Sequence, residues 1–488
     1  MSIREFPEGF LWGTSTASFQ IEMGLGEPST ASDWWIWVHD QENIKRGNAS
    51  GIYPEQGPGF WELYKEDLER ARDQLGNNAI RLSVDWARIF PKSTSKVQVE
   101  VTKDKHGNVI DVQVNDTAIK QLGIIADRTA LERYRDIFVE AGRLRLTVFL
   151  TLYHWPLPLW IHDPIACRDN LEASTRRGWL DTETIVEYAK YTAFAAYAFG
   201  DLVDLYATIN EAPIMSKYGY LHDTVHFPPG HSNQGLFLTV FKNLAIAHGV
   251  GYQQVKTWDT ESVSDLGPAT VGVVTVLEQY DPEDPENVKD VAAAEFNRYL
   301  WNEWNLNALI KGDFDMNLDG LIDPEEQIPQ TVKGCDFIGA DYYLRETVRY
   351  AQIGGDPRFD FEFTPSKGKT SDTGWEIYPQ GLGNVLTWAY KNYRRPIYVT
   401  ENGVADAEDK LRVDYLVSHL EQVHVAIKED RVPVLGYFYW SLIDNYSWFS
   451  GYRSKFGLFT VDMETKERES TRGVSVYRQI ASKNRLPD

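Results

Sequence analysis

The chain has 488 residues, 43% of them hydrophobic and 25% charged, enough apolar material for one large barrel or for several ordinary domains. Its formal net charge of −22 argues against a nucleic-acid partner, whose phosphates require a surplus of Lys and Arg on one face, and suits a neutral substrate. Cys167 and Cys335 are the only cysteines, too few for a disulfide framework or a cysteine-based zinc site. No apolar run approaches the roughly 20 residues of a membrane helix, and the N-terminus lacks the basic and apolar regions of a signal peptide. A cytoplasmic protein with no membrane partner is expected.

In chain order, eight short apolar, β-branched or aromatic segments read as buried parallel strands: 10–15, 79–84, 146–152, 205–209, 269–276, 335–341, 396–400 and 434–440. Helical patterns lie between them. Trp61, Tyr64, Leu68, Ala71 and Leu75 recur at spacings of three and four, as do Leu416, Leu420, Val423 and Ile427. Residues 96–127 alternate around Lys105-His106-Gly107-Asn108 and read as an inserted β-hairpin. Eight strands alternating with helices, without a Pro/Gly/Ser-rich linker, predict a single α/β domain spanning 1–488: a closed (β/α)8 TIM barrel with inserted loops. A doubly wound open sheet would usually show a glycine-rich turn after its first strand, and none is present.

Barrel enzymes carry their chemistry where the strands run out. Here those ends hold Gln20, Arg81, His154, Asn210-Glu211, Asp341-Tyr342-Tyr343, Glu401-Asn402 and Trp440. Each alone has an ordinary structural explanation, as a helix cap, a salt-bridge partner or core. Together, two carboxylates, an arginine, an amide and several aromatics on one rim are expensive to bury without a function. Two glutamates without metal-ligand spacing suggest carboxylate-pair chemistry, above all cleavage of a glycosidic bond. Arg81 beside Glu401 would lower the pKa of the nucleophile by opposite charge, and Tyr343 could donate to the same carboxylate. Asn210 is placed to contact a sugar 2-hydroxyl.

At this point the sequence resembles glycoside hydrolase family 1, most closely its archaeal β-glycosidases. The motifs run end to end: F-L-W-G-T-S-T-A-S-F-Q-I-E (10–22), R-L-S-V-D-W-A-R-I-F-P (81–91), T-L-Y-H-W-P-L-P-L-W (151–160), T-I-N-E (208–211), D-F-I-G-A-D-Y-Y (336–343), Y-V-T-E-N-G (398–403) and W-S-L-I-D-N-Y-S-W (440–448). The resemblance implies Glu211 as acid/base, Glu401 as nucleophile, and retention at equatorial β-linked sugars. It also implies that Gln20, His154, Asn210, Trp440 and Trp448 shape the sugar pocket. It further implies that catalysis needs no cofactor, and that the protein forms a homo-oligomer, a tetramer or dimer.

Three departures stand out. The proline usual after the acid/base is displaced to Pro213, behind Ala212. The asparagine usual before the double tyrosine is Asp341. Between Tyr446 and Trp448 the glucosidases and galactosidases carry a glutamate that clamps the 4- and 6-hydroxyls; here it is Ser447. A serine there resembles the 6-phospho-β-glycosidases, but their lysine and tyrosine seven and nine residues on are Ser454 and Phe456, with Arg453 and Lys455 adjacent. Finally, Asp315, Asn317, Asp319, Leu321, Asp323 and Glu326 fall at the diagnostic positions of an EF-hand loop around Gly320, which predicts a structural Ca2+.

Overall fold

The computed structural model describes residues 4–221, 227–264, 266–331, 334–354 and 357–487. Its eight central strands are β1 (Leu11–Ser15), β2 (Ala79–Ser83), β3 (Thr147–Tyr153), β4 (Leu205–Asn210), β5 (Thr270–Val276), β6 (Ile338–Asp341), β7 (Ile397–Asn402) and β8 (Val434–Trp440). Each pairs in parallel with its neighbour in sequence, and β8 closes on β1, so the expected barrel is present with all eight expected strands. These strands are buried almost throughout because they are covered twice, by helices outside and by the barrel filling inside. The filling is aromatic. The Phe149 ring meets Phe337, Tyr398 and Phe438 edge to face at centroid distances of 5.4, 5.8 and 5.6 Å. The guanidinium of Arg81 lies over that same Phe149 ring, 5.8 Å from its centroid, so the polar layer rests directly on the aromatic plug.

The helical periodicity holds. The helix Phe60–Glu69 and the wider turn after it bury Tyr64, Leu68 and Ala71, and the helix Arg412–Lys428 buries Leu416, Leu420 and Val423. The expected hairpin pairs Glu100–Lys103 with Val109–Gln113. A helix that the alternation did not reveal follows it, Asp116–Ile125, opened by the Asn115 side chain accepting from the Ala118 N–H at 3.0 Å. A three-stranded sheet of Gln279–Pro282, Arg345–Tyr350 and Phe361–Thr364 stands beyond the ends of β5 and β6. No helix among the described residues is long and apolar enough to cross a membrane.

Two irregularities decide where side chains point. Against β5, β4 keeps register through Ala207–Gly272 and then pairs Asn210 with Val274, which leaves one extra residue on β4. Against β6, β7 passes from Val399–Ala340 to Glu401–Asp341, again with one residue extra. A bulge reverses the alternation of all that follows it. Without it, Glu401 would face the helices rather than the barrel axis.

Candidate active site

At the C-terminal end of the barrel lies a cavity of about 360 Å³ lined by Gln20, His154, Glu211, Tyr343, Glu401, Trp440, Ser447 and Trp448, among others. The sequence-predicted residues therefore converge, with Arg81 and Asn210 forming the layer beneath. Arg81 is fully buried and engages four groups. Its Nη1 donates to Glu401 Oε1 at 2.5 Å and to Ser15 Oγ at 2.8 Å. Its Nη2 donates to Asn210 Oδ1 at 2.5 Å, and its Nε to Thr151 Oγ1 at 3.1 Å. The second oxygen of Glu401 accepts from the Tyr343 hydroxyl at 2.7 Å. The nucleophile candidate is thus held at both oxygens.

Glu211 is placed differently. It sits between β4 and the helix Ala212–Tyr220, its backbone in the left-handed region at φ 43°, its N–H donating to Val274 O at 2.9 Å. No side chain among the described residues bonds its carboxyl, which faces the cavity. The displaced Pro213 is accommodated in the first turn of that helix, where no N–H is needed.

Burial is the largest influence on all three carboxyls here, and it raises each of them. Glu211 is pushed far above the usual range by desolvation, then by the charges of Asp341 and Glu401. Asp341 is likewise pushed far up by desolvation and then by Glu401. Glu401 is raised as well, but Arg81 and Tyr343 oppose the rise. Arg81 lowers Glu401 as an opposite charge should, but burial outweighs it, so the carboxyl stays above an ordinary glutamate. The order remains the useful one, with Glu401 ionising before Glu211. His154 is held neutral by burial and then by Arg81.

The sugar-facing wall is aromatic with polar gaps. His154 lies nearly parallel to Trp440 and Trp448, at centroid distances of 6.2 and 6.4 Å. Gln20 Nε2 donates to Tyr446 O at 2.7 Å, while Gln20 Oε1 and His154 Nδ1 are buried without a protein partner. Buried polar atoms in that state at a cavity wall are groups a polar ligand would satisfy. Lys455 Nζ is paired with Asp444 Oδ2 at 3.1 Å, and neither it nor the exposed Arg453 lines the cavity. The cationic patch that a 6-phosphate would need is not assembled.

Sequence reasoning missed the outer wall. Lys217, Glu278, Tyr280 and Glu346 also line the cavity, from the helix after Glu211 and from the three-stranded sheet. Lys217 Nζ stands 3.9 Å from the centroid of a Trp301 ring, and burial, then Glu278, pushes Glu346 up to about 7. Lys217 lies six residues beyond Glu211 on one short helix, which could have drawn attention to it; nothing in the sequence joins it to Glu278 and Glu346.

The expected calcium loop gathers no ready cage. Among the described residues no group of three or more His, Cys, Asp or Glu side chains is arranged to hold a metal. Asp315 instead accepts from the Asp319 and Gly320 N–H groups at 3.2 and 2.7 Å, and Glu326 from Met316 and Asp323 at 2.8 and 2.9 Å. Asn317 and Asp319 accept from Asp319 and Leu321 N–H groups, so the loop closes on its own backbone. The exiting helix is a single 3₁₀ turn, Pro324–Glu326.

A parallel eight-stranded barrel whose rim presents two buried carboxyls, one clamped by arginine and tyrosine and one facing an aromatic cavity, defines a glycoside hydrolase. The family pattern described as Glycosyl hydrolase family 1 matches residues 2–102 and 125–486, and the chain belongs to that family. The unmatched stretch lies within the inserted hairpin and helix. A β-galactosidase of Pyrococcus woesei is 37% identical, with 98% of this chain and 97% of that protein covered. The crystal structure of the β-glycosidase from Thermosphaera aggregans superposes with a TM-score of 0.89 at 34% identity, covering 99% and 98% of the two chains. A β-glucosidase mutant derived from a hyperthermophilic tetrameric structure superposes at 0.87 with 40% identity, covering 99% and 97%.

Proposed function

We propose that this β-glycosidase removes a neutral sugar from β-linked glycosides with retention, through a covalent glycosyl-enzyme on Glu401. The observation that carries the reading is the asymmetry of the two glutamates. Glu401 is fixed at both oxygens by Arg81 and Tyr343, whereas the Glu211 carboxyl is more strongly raised and faces the cavity. In the first step a Glu401 oxygen bonds the anomeric carbon as the glycosidic C–O bond breaks, and the proton of Glu211 passes to the leaving oxygen. In the second, Glu211 takes a proton from water, whose oxygen displaces Glu401 from the same carbon. Asn210, bonded to Arg81, presents its amide nitrogen towards His154 at 3.5 Å, which suits it to hold a 2-hydroxyl. The two carboxyls and one water supply every proton and electron pair these two steps need, so the proposed mechanism calls for no cofactor.

Ser447 would tolerate either a neutral or a phosphorylated glycone, and the glycone is read as neutral because Lys455 is held by Asp444 and neither it nor Arg453 lines the cavity. We further read the protein as a cytoplasmic homo-oligomer. The tetrameric origin of a 40% identical β-glucosidase supports the assembly, which sedimentation would check.

The test is a pair of substitutions. Glu401→Ala should abolish turnover of nitrophenyl β-glycosides, with azide restoring it and giving the α-glycosyl azide, because a small anion can take the vacated place. Glu211→Ala should lose about 100-fold or more on poor leaving groups and far less on dinitrophenyl glycosides, which leave without a proton. Equal losses on both classes of leaving group would overturn the assignment.

A further inference from the structure

Asp341 is the one carboxyl of the catalytic layer to which the mechanism gives no task. It ends β6, is 0% exposed, and stands in register with Glu401 across the bulge of β7. Its Oδ1 accepts from the Thr400 hydroxyl at 2.6 Å, and its Oδ2 is buried without a partner. Gly339 makes this approach feasible: a Cβ there would stand 2.9 Å from the Thr400 side chain. Among the described residues, the one cation of the layer is committed elsewhere. Arg81 places four of its five N–H groups on Thr151, Ser15, Glu401 and Asn210, and none on Asp341. Three carboxyls therefore share one buried layer with one positive charge.

The groups that face Asp341 can be named. Thr400 bonds it from β7 and Glu401 stands at its register position there, while the charges of Arg81 from β2 and Glu211 at the end of β4, and the Tyr343 phenol beyond its own strand, interact with it electrostatically. At its register position on β5 stands the apolar Val276, and His154 above Arg81 is neutral. One negative charge is matched by Arg81 in direct contact; each further one meets repulsion from the first in a water-poor site and feels Arg81 only at a distance. The carboxyls must then ionise one after another. Glu401 goes first because it alone touches the guanidinium. Asp341 follows because a hydroxyl supports its anion. Glu211 has neither aid.

We propose that Asp341 is a positioning residue for the proton donor: its carboxylate charge, confined to the same buried layer, keeps the proton on Glu211 as the solution turns alkaline. The inference rests on the reading of Glu211 as the acid/base. It gives the Asp in place of the family's usual Asn a chemical consequence, a working range extended towards high pH. Both burial and the Asp341 charge push Glu211 in the direction this requires. The acid side of the range is unaffected, since Glu401 loses its proton while Asp341 is still neutral.

The experiment is the pH dependence of kcat/KM for phenyl β-glucoside and dinitrophenyl β-glucoside in the wild type, Asp341→Asn, Thr400→Val and Glu211→Gln. Asp341→Asn keeps the shape and the acceptor for Thr400 but cannot become charged. Its alkaline limb on the phenyl substrate should move to lower pH by about one unit, the size of a like-charge effect at close range, with the acid limb in place. Thr400→Val, which withdraws support from the Asp341 anion, should move the limb the same way by less. Neither should create an alkaline limb on the dinitrophenyl substrate, which a general loss of structure would not respect. An unmoved limb in Asp341→Asn, or a uniform loss of rate at all pH, overturns the inference. Should that variant fail to fold, an unmoved limb in Thr400→Val overturns it instead. If the limb survives in Glu211→Gln, the reading of Glu211 as the donor is what fails.

Discussion

Position 447 is where one side chain would bear on substrate choice without touching the proposed chemistry. Ser447 lines the cavity beside Gln20 and Trp448, held in a tight turn by reciprocal bonds with Gly451 at 2.8 and 2.9 Å. A glutamate there would offer charge-assisted bonds to a sugar's 4- and 6-hydroxyls, each worth about 1.5–3 kcal/mol. Without it, the wild type should separate glucosides from 6-deoxyglucosides by less than about tenfold in kcat/KM. Ser447→Glu should widen that ratio by about tenfold or more, and an unchanged ratio would show that another group already holds the 6-hydroxyl. At this scale the sequence was readable wherever a residue's task follows from its type. Arg81 and Tyr343 both bond Glu401, and Glu211 lines the same cavity. The sign of the shift at Glu401 was not readable, because desolvation depends on everything packed around a group and is written in no single residue.

Among the elements, the bulges of β4 and β7 matter most to function and left the least trace in the sequence. Apolar patterning ends those strands at 209 and 400, yet the paired strands run to Asn210 and Asn402. A single inserted residue changes neither composition nor length enough to notice, while it turns Asn210 and Glu401 to the inside. The outer wall was hidden for a related reason: Glu278 and Glu346 are neighbours only because two short strands pair beyond the barrel. The loop around Gly320 is the opposite case, a motif plainly visible in the sequence whose carboxylates the fold assigns to backbone N–H groups. A chelator should accordingly leave Tm within about 1 °C of its starting value, since bound metal would otherwise stabilise by mass action. A larger fall, reversed by added Ca2+, would show that the loop rearranges to bind the ion.

For the whole molecule, buried titratable groups predict how stability varies with pH. His162 Nδ1 donates to Asp33 Oδ2 at 2.7 Å between the helix Asp33–His39 and the segment after β3. Burial alone would lower His162, but Asp33, with Cys167 beside it, outweighs this and raises it to about 9. Burial also raises Glu22 and Glu346 to about 7. All three bind protons more tightly folded than unfolded, so their contribution is complete below the unfolded values and fades as pH rises through the folded ones. His248 and His419, lowered to about 4 and 3 by burial, work in the opposite sense as pH rises to the ordinary histidine value, so they offset part of the decline only at its acid end. Tm should therefore fall between pH 6 and pH 9. The shift at His162 alone is worth on the order of 3 kcal/mol. Asp33→Asn should lower Tm at pH 6 and flatten the decline, as calorimetry at the two pH values would show; a wild-type Tm that rises over this range would refute the account. The backbone of Glu211 bears on stability in another way. A side chain at φ 43° costs about 1–2 kcal/mol that glycine would be spared, yet glycine has no proton to donate. Selection for a sturdier fold and selection for turnover therefore pull this position in opposite directions. Sequences drifting under the first pressure alone should shed the acid/base early, leaving stable barrels that still bind sugars but no longer cleave them.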